Sequence, residues 1–223
     1  MPRMDQLCAG TRTGSSGRGR SGSGHNSGMA THVALLRGIN VGGRNKVPMA
    51  ELRQVVTALG HTGVTTYIQT GNVLFSAAGS STAELAAAVE SAIADAFGIR
   101  PPVVVLTRDE LAKILRDNPY PSEPNHKLVH VVFLAAEPPK ELLDRLAAAE
   151  SAAAAKGARD TVTAIGPALF VYTPDGYGNS ELALSVFRII DALNKQKKGD
   201  SVAATARNWA TATKLLSLCD DNT

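Results

Sequence analysis

The stretch Val64–Ser76, VTTYIQTGNVLFS, decides how the rest of the chain is read. Two runs rich in β-branched and aromatic residues, Val64–Gln69 and Asn72–Ser76, flank Thr70-Gly71, a spacer short enough for a tight hairpin in which Gly71 supplies positive φ. The runs are expected to pair antiparallel. Upstream, Thr31–Arg37 is an apolar and β-branched run ended by Gly38, the pattern of a buried strand. After a loop from Gly38 to Val47, Pro48 marks a helix start, because proline lacks the amide proton that a first-turn residue leaves unpaired anyway. That helix runs to about Leu59, with Leu52, Val55, Val56 and Leu59 forming one apolar stripe. Downstream, Ser81 or Thr82 caps a helix through Phe97; Leu85, Val89, Ala92, Ile93 and Ala96 share a face, and Gly98 stops it. Pro102–Leu106 supplies a further strand. The order is strand, helix, hairpin, helix, strand.

The same order returns after a helix from about Asp109 to Arg116 and a proline-rich loop. Leu128–Ala135 reads as strand, Pro139–Ala154 as helix, Thr161–Ile165 and Ala168–Thr173 as a hairpin about Gly166-Pro167, Ser180–Leu193 as helix, and Val202–Thr205 as a closing strand. A last helix begins at Arg207, with Trp209 packed against the body. The expected fold is α+β: two βαββαβ units of the ferredoxin-like, split-βαβ kind at 31–107 and 128–206, joined by a connecting helix and loop at 108–127 and followed by a C-terminal helix and frayed end at 207–223.

Composition narrows the function classes. The chain has 223 residues, 44% of them hydrophobic, enough to bury a substantial core. Its net charge of +3 belongs to residues 1–30, where Arg3, Arg12, Arg18 and Arg20 face Asp5; 19 basic and 19 acidic residues remain elsewhere. The folded part therefore lacks the basic excess of sequence-independent nucleic-acid binding. Residues 9–28, nearly all Gly, Ser, Arg, Thr and Asn, cannot offset the entropy of ordering and are expected to form a disordered basic tail. Cys8 and Cys219 are the only cysteines, so no disulfide framework is available, which fits a reducing compartment. With no long apolar span and no signal-like apolar segment, the expected location is the cytoplasm, with no membrane partner.

Three stretches carry a resemblance: Val33–Lys46 (VALLRGINVGGRNK), Tyr67–Val73 (YIQTGNV) and Ala204–Leu215 (ATARNWATATKL). They resemble the signature segments of the domain of unknown function 1697 family, over essentially residues 30–219. The resemblance implies paired ferredoxin-like halves in a bacterial cytosolic protein and implies no activity. It departs at Ser180-Glu181-Leu182, where the family commonly carries lysine in place of Glu181, and at Asn194–Gly199, where Lys195, Lys197 and Lys198 crowd a connection that is usually short.

The segment richest in chemistry is Arg37–Lys46. Its glycines, Gly38, Gly42 and Gly43, let backbone amides converge on an anion at a helix N-terminus, and Asn40 and Lys46 stand beside them. It is neither a phosphate loop of the Walker kind nor a dinucleotide fingerprint, because its glycine and lysine spacing matches neither; a tight turn with solvated cations accounts for the same residues. Gln69 and Asn72 in the hairpin present donors and acceptors, although Asn72 also suits a turn. In the C-terminal segment, Arg207, Asn208 and Lys214 add cations and an amide, with Arg207 set against the dipole of the helix it opens. Among the five histidines, His126 and His130 are four apart but on a strand, so no metal site is expected, and no cofactor motif is present. The expected function is the binding of a small anionic ligand, a nucleotide or phosphorylated metabolite, in a cleft between the halves. An enzyme using the same cleft lacks an obvious general base. RNA binding through an open sheet face sits poorly with 4% aromatic content, and a protein-interaction module is the remaining alternative.

Overall fold

The computed structural model describes residues 30–196 and 201–221. The expected tail, Ala30 excepted, lies outside the described residues, as do Lys197 and Lys198. Strands β1 (His32–Leu36), β2 (Thr62–Tyr67), β3 (Asn72–Ser76) and β4 (Val103–Thr107) form an antiparallel sheet in the order β2-β3-β1-β4. Helices α1 (Met49–Ala58) and α2 (Thr82–Phe97) are interleaved with them, and α3 (Arg108–Arg116) leads away. The second half repeats the plan with β5 (Val129–Leu134), α4 (Lys140–Ala154), β6 (Thr161–Ile165), β7 (Ala168–Tyr172), α5 (Glu181–Gln196) and β8 (Ala204–Asn208), in the order β6-β7-β5-β8. Helix α6 (Trp209–Asp220) closes the chain.

Local chemistry explains the boundaries. Ser81, rather than Thr82, caps α2: its hydroxyl accepts from the Glu84 amide at 3.2 Å while the Glu84 carboxylate accepts from the Ser81 amide at 2.8 Å. Thr107 and Glu110 form the same box on α3, and Gly98 ends α2 with φ 67°. Pro48 and Pro139 each stand one position earlier than the sequence predicts, as extended residues before their helices. Having no side-chain acceptor, they leave the first-turn amides uncapped.

All five residues of β1 are buried, so the sheet is covered on both faces. Ala34, Leu36, Val73 and Phe75 pack against Leu52, Val56, Leu85, Val89 and Ile93 of α1 and α2. Val132, Leu134, Leu169 and Val171 meet α4 and α5 in the same way. The alternate residues of both sheets, among them Val33, Leu35, Val131, Phe133 and Phe170, share one core with α3 and α6. Each buried Phe contributes about 1.5–3 kcal/mol through removal from water. The open sheet face that an RNA-binding reading requires is therefore occupied by the opposite half.

Arg207 is the main correction. A helix was expected to begin there, but Arg207 lies within β8, opposite Val131 of β5. Asn208 then caps α6 by accepting from the Thr211 amide at 2.8 Å. Asparagine is among the best N-caps, and extending Ala204–Asn208 completes the ladder with β5. Arg207 consequently faces no helix dipole. Among the described residues no helix is long and apolar enough to cross a membrane, and no His, Cys, Asp and Glu cluster is placed to hold a metal ion.

Candidate functional site

The loop from Arg37 to Pro48 and the turn from Ile68 to Gly71 are fastened together by one side chain. Asn40, at φ 53°, donates to the carbonyls of Val47 at 2.8 Å and Gln69 at 3.0 Å, and its Oδ1 accepts from the Val47 amide at 2.8 Å. Asn45, at φ 48°, donates to the Gly38 carbonyl at 2.9 Å and so folds the loop on itself. Asparagine tolerates this left-handed backbone better than other non-glycine residues. Gly71 has no such substitute. Its φ is 82°, and a Cβ built there falls 2.7 Å from Leu36 Cβ, so the turn rests directly on the end of β1.

Arg207 reaches this junction from the other half. Its Nε donates to Asn72 Oδ1. Nη1 donates to Thr205 Oγ1 and the Ala206 carbonyl, both at 2.7 Å, and Nη2 to the carbonyls of Leu36 at 2.8 Å, Thr70 at 3.1 Å and Gly71 at 3.1 Å. Burial lowers the guanidinium pKa to about 10, and no carboxylate of the described residues pairs with it. Asn72 is fully buried and is equally committed, donating to the Tyr67 carbonyl and to Thr70 Oγ1. Both residues act as a clasp between the halves, since each polar group already has a protein partner. Arg37 crosses in the opposite direction, donating to both Asp191 carboxylate oxygens at 2.7 and 2.9 Å with its guanidinium carbon 5.0 Å from the centre of the Phe187 ring.

What stays open is a groove of about 410 Å³ lined by Asn40, Gly43, Lys46, Val47, Pro48, Met49 and Gln69. It lies at the start of α1, where Pro48 provides no cap and Lys46 forms no ion pair with a described residue. Exposed Val41 and Ile68 belong to the same loop and turn, and Ile68 is held at φ 49°, a conformation that β-branched residues rarely adopt. Of the residues singled out in the sequence, Asn40, Gly43, Lys46 and Gln69 line this groove; Gly38 and Gly42 shape its loop. Arg207 and Asn72 meet each other, whereas the guanidinium of Arg37 is engaged separately by Asp191. Asn208 is spent on its helix cap, and Lys214 stands on the outside of α6 with its ammonium 4.0 Å from Asp221. Sequence reasoning missed Asn45, Ile68 and the Asp191 and Phe187 partners of Arg37. An asparagine amid glycines signals the first; nothing local signals the others.

His32, His61, His126 and His130 are not among the residues that line the groove. His130 stacks on Tyr177 at 3.8 Å, its Nδ1 has no hydrogen-bond partner, and burial lowers its pKa to about 4. Burial also lowers the pKa values of His32 and His61, which stack on Phe75.

The class these features define is a mixed α+β protein of two similar halves, each with a four-stranded antiparallel sheet, fastened through a buried arginine. Residues 29–166 match the family described as protein of unknown function (DUF1697), and the chain belongs to that family. The structure is similar to that of the conserved bacterial protein SP0830 from Streptococcus pneumoniae, with a TM-score of 0.57 and 24% identity over 85% of this chain and 98% of that one. No curated protein matches the chain.

Proposed function

We propose that the protein binds a small anionic ligand, a nucleotide or phosphorylated metabolite, in the groove where the Gly38–Val47 loop and the β2–β3 turn meet the start of α1. The observation that carries this reading is the pairing of an uncapped helix N-terminus with Lys46, a cation that forms no ion pair among the described residues. α2, α3 and α6 are capped by Ser81, Thr107 and Asn208, whereas α1 and α4 start after prolines without a side-chain acceptor, and the start of α1 borders the groove beside Lys46. Helix dipole and ammonium then favour the same negative group. Gln69 and Asn40 border the groove and give a ligand polar edges to read. The ligand-binding set is accordingly Asn40, Gly43, Lys46 and Gln69, with Gly38 and Gly42 shaping the loop, and Arg37, Asn72, Arg207 and Asn208 supporting it from behind. Each half is read as a split-βαβ unit of the ferredoxin-like kind, which the repeated strand order supports. The setting proposed is the bacterial cytoplasm.

Thermal shift against inorganic phosphate, pyrophosphate, ADP, ATP and citrate tests the assignment. At least one of these anions stabilises the wild type, and Lys46→Ala removes most of that shift without changing the melting temperature of the free protein. The proposal fails if none of the five shifts the wild type, or if Lys46→Ala keeps the full shift.

A further inference from the structure

Each sheet has one edge turned away from the opposite half, and the two edges are treated differently. At β6 the hydroxyl of Tyr120 bonds Thr161 Oγ1 at 2.6 Å and Thr163 Oγ1 at 3.2 Å, and the Glu150 carboxylate accepts from the Val162 amide at 3.3 Å. That edge is stoppered by its neighbours. At β2, the first strand in the order β2-β3-β1-β4, no described residue hydrogen-bonds to the outer backbone. Thr62–Tyr67 carries no charge and no proline, the usual devices against unwanted pairing, and its one irregularity is a bulge between Thr62 and Thr65. Val64–Tyr67 beyond the bulge is a regular, bare edge.

Beside that edge runs a groove of about 520 Å³ lined by Ala50, Arg53, Gln54, Thr57 and Ala58 of α1 and by Val64 of β2. A strand laid against β2 would take up the free backbone groups, and every second side chain would point into this groove, the geometry of strand addition between a sheet edge and a helix. Ala50, Ala58 and Thr57 leave room for medium apolar side chains. Arg53 is the one charged residue of the lining; its Nη1 donates to Thr66 Oγ1 at 2.8 Å and it has no ion pair with a described residue. A carboxylate arriving on the added strand meets it directly.

We infer that the β2 edge and the α1 groove form a docking site for an extended, acidic peptide segment of another protein, which adds as a fifth strand and places a carboxylate on Arg53. Charge selects this occupant. The basic tail of this chain, with Arg3, Arg12, Arg18 and Arg20, brings the wrong sign. A second copy pairing β2 to β2 brings Thr62–Tyr67, which has no carboxylate to offer Arg53. The site is separate from the ligand groove at Lys46 and does not depend on it.

The test is to pan a random decapeptide display library against the full chain and to measure the enriched peptides by fluorescence anisotropy. The expected sequences alternate β-branched or small apolar residues with polar ones and carry Asp or Glu. Their affinity falls at least tenfold with Arg53→Gln and at least tenfold when alternate peptide amides are N-methylated, and binding slows amide hydrogen exchange within Val64–Tyr67. The inference is overturned if nothing enriches, if the enriched peptides lack an acid, if Arg53→Gln or N-methylation leaves affinity unchanged, or if the same amides become protected by dimerisation at high protein concentration. Lys46→Ala leaves this binding intact, which keeps the outcome distinct from that of the anion experiment.

Discussion

Equivalent positions in the two halves are filled by opposite chemistry. Arg207 in β8 faces Val131 as Leu106 in β4 faces Val33, and Asn72 opens β3 as Ala168 opens β7. Leu106 and Ala168 belong to the apolar core shared by the halves, whereas Asn72 and Arg207 hydrogen-bond across the same interior. The connection after the first strand differs as well: it runs from Arg37 to Pro48 in the first half and only from Ala135 to Pro139 in the second. At that connection the second half closes with a short turn. The first carries a long glycine-rich loop, and the polar clasp holds the turn beneath that loop in place. Elaboration on one side of an otherwise repeated plan is where a bound ligand is best sought.

Removing the clasp has the largest expected effect. Arg207→Leu copies the Leu106 arrangement but strands the Thr70 carbonyl and Asn72 Oδ1, while the carbonyls of Leu36 and Gly71 keep Thr205 Oγ1 and the Leu36 amide as donors, and is expected to cost about 3 kcal/mol in urea unfolding. Adding Asn72→Ala sharpens the comparison. If the pair acts as one unit, the double variant is more stable than the sum of the single losses by about 1–3 kcal/mol. Additive losses would mean that the two residues work independently.

Next in size is a contrast between turns. Gly71→Ala places a methyl group 2.7 Å from Leu36 Cβ at φ 82°, and is expected to cost about 3 kcal/mol through strain and overpacking. Gly166→Ala, at φ 53° with its nearest neighbour at 3.8 Å, costs about 1 kcal/mol from backbone strain alone. Equal losses would show that the first turn is not pressed against β1 as described.

These positions also mark what the sequence could reveal. The repeat of strand, helix, hairpin, helix and strand was legible because its elements carry their own punctuation: Ser81 or Thr82, Gly98, Thr70-Gly71 and Gly166-Pro167. The uninterrupted apolar runs Val33–Leu36 and Val103–Leu106 lack polar alternation, a sign that both sheet faces are covered. The loop and turn stood out as candidates because glycines and amides gather there, and Asn40 does fasten one to the other. The clasp was not. An arginine before Asn-Trp reads locally as a helix start, and its true partners are backbone carbonyls more than a hundred residues away, which leave no mark in composition or period. Asn208, a preferred N-cap, was the one local sign that the helix begins a residue later.

Proton uptake separates the halves more gently. The His130 pKa, lowered by burial from 6.5 to about 4, means that between those values the unfolded chain binds a proton that the folded chain excludes. Stability from this group is complete above about pH 6.5 and is lost as pH falls toward 4, by on the order of 1–2 kcal/mol once partial solvent screening is allowed for. Urea unfolding of His130→Phe from pH 7 to 4.5 is expected to show a shallower decline. The slope that remains includes His32 and His61 of the first half, which shift in the same direction, and, near its acid end, Glu84 and Glu181, whose pKa values are lowered by their hydrogen bonds. An unchanged slope would show that His130 contributes nothing to it.

The smallest effect is expected at the other crossing arginine. Arg37 and Asp191 bridge the halves as Arg207 does, with good bidentate geometry, yet their side chains are 28% and 43% exposed. Water already solvates much of both charges, so forming the pair recovers little, and removing one partner leaves no buried group without a hydrogen bond. Arg37→Gln is therefore expected to cost no more than about 1 kcal/mol, part of it from lost contact with Phe187, and to lose its effect in high salt. Two arginines on one seam then differ several-fold in their contribution because one is partly open to solvent and the other is enclosed by carbonyl oxygens. A loss at Arg37 as large as that at Arg207 would show that bridging the halves, and not burial, sets the energy of each contact.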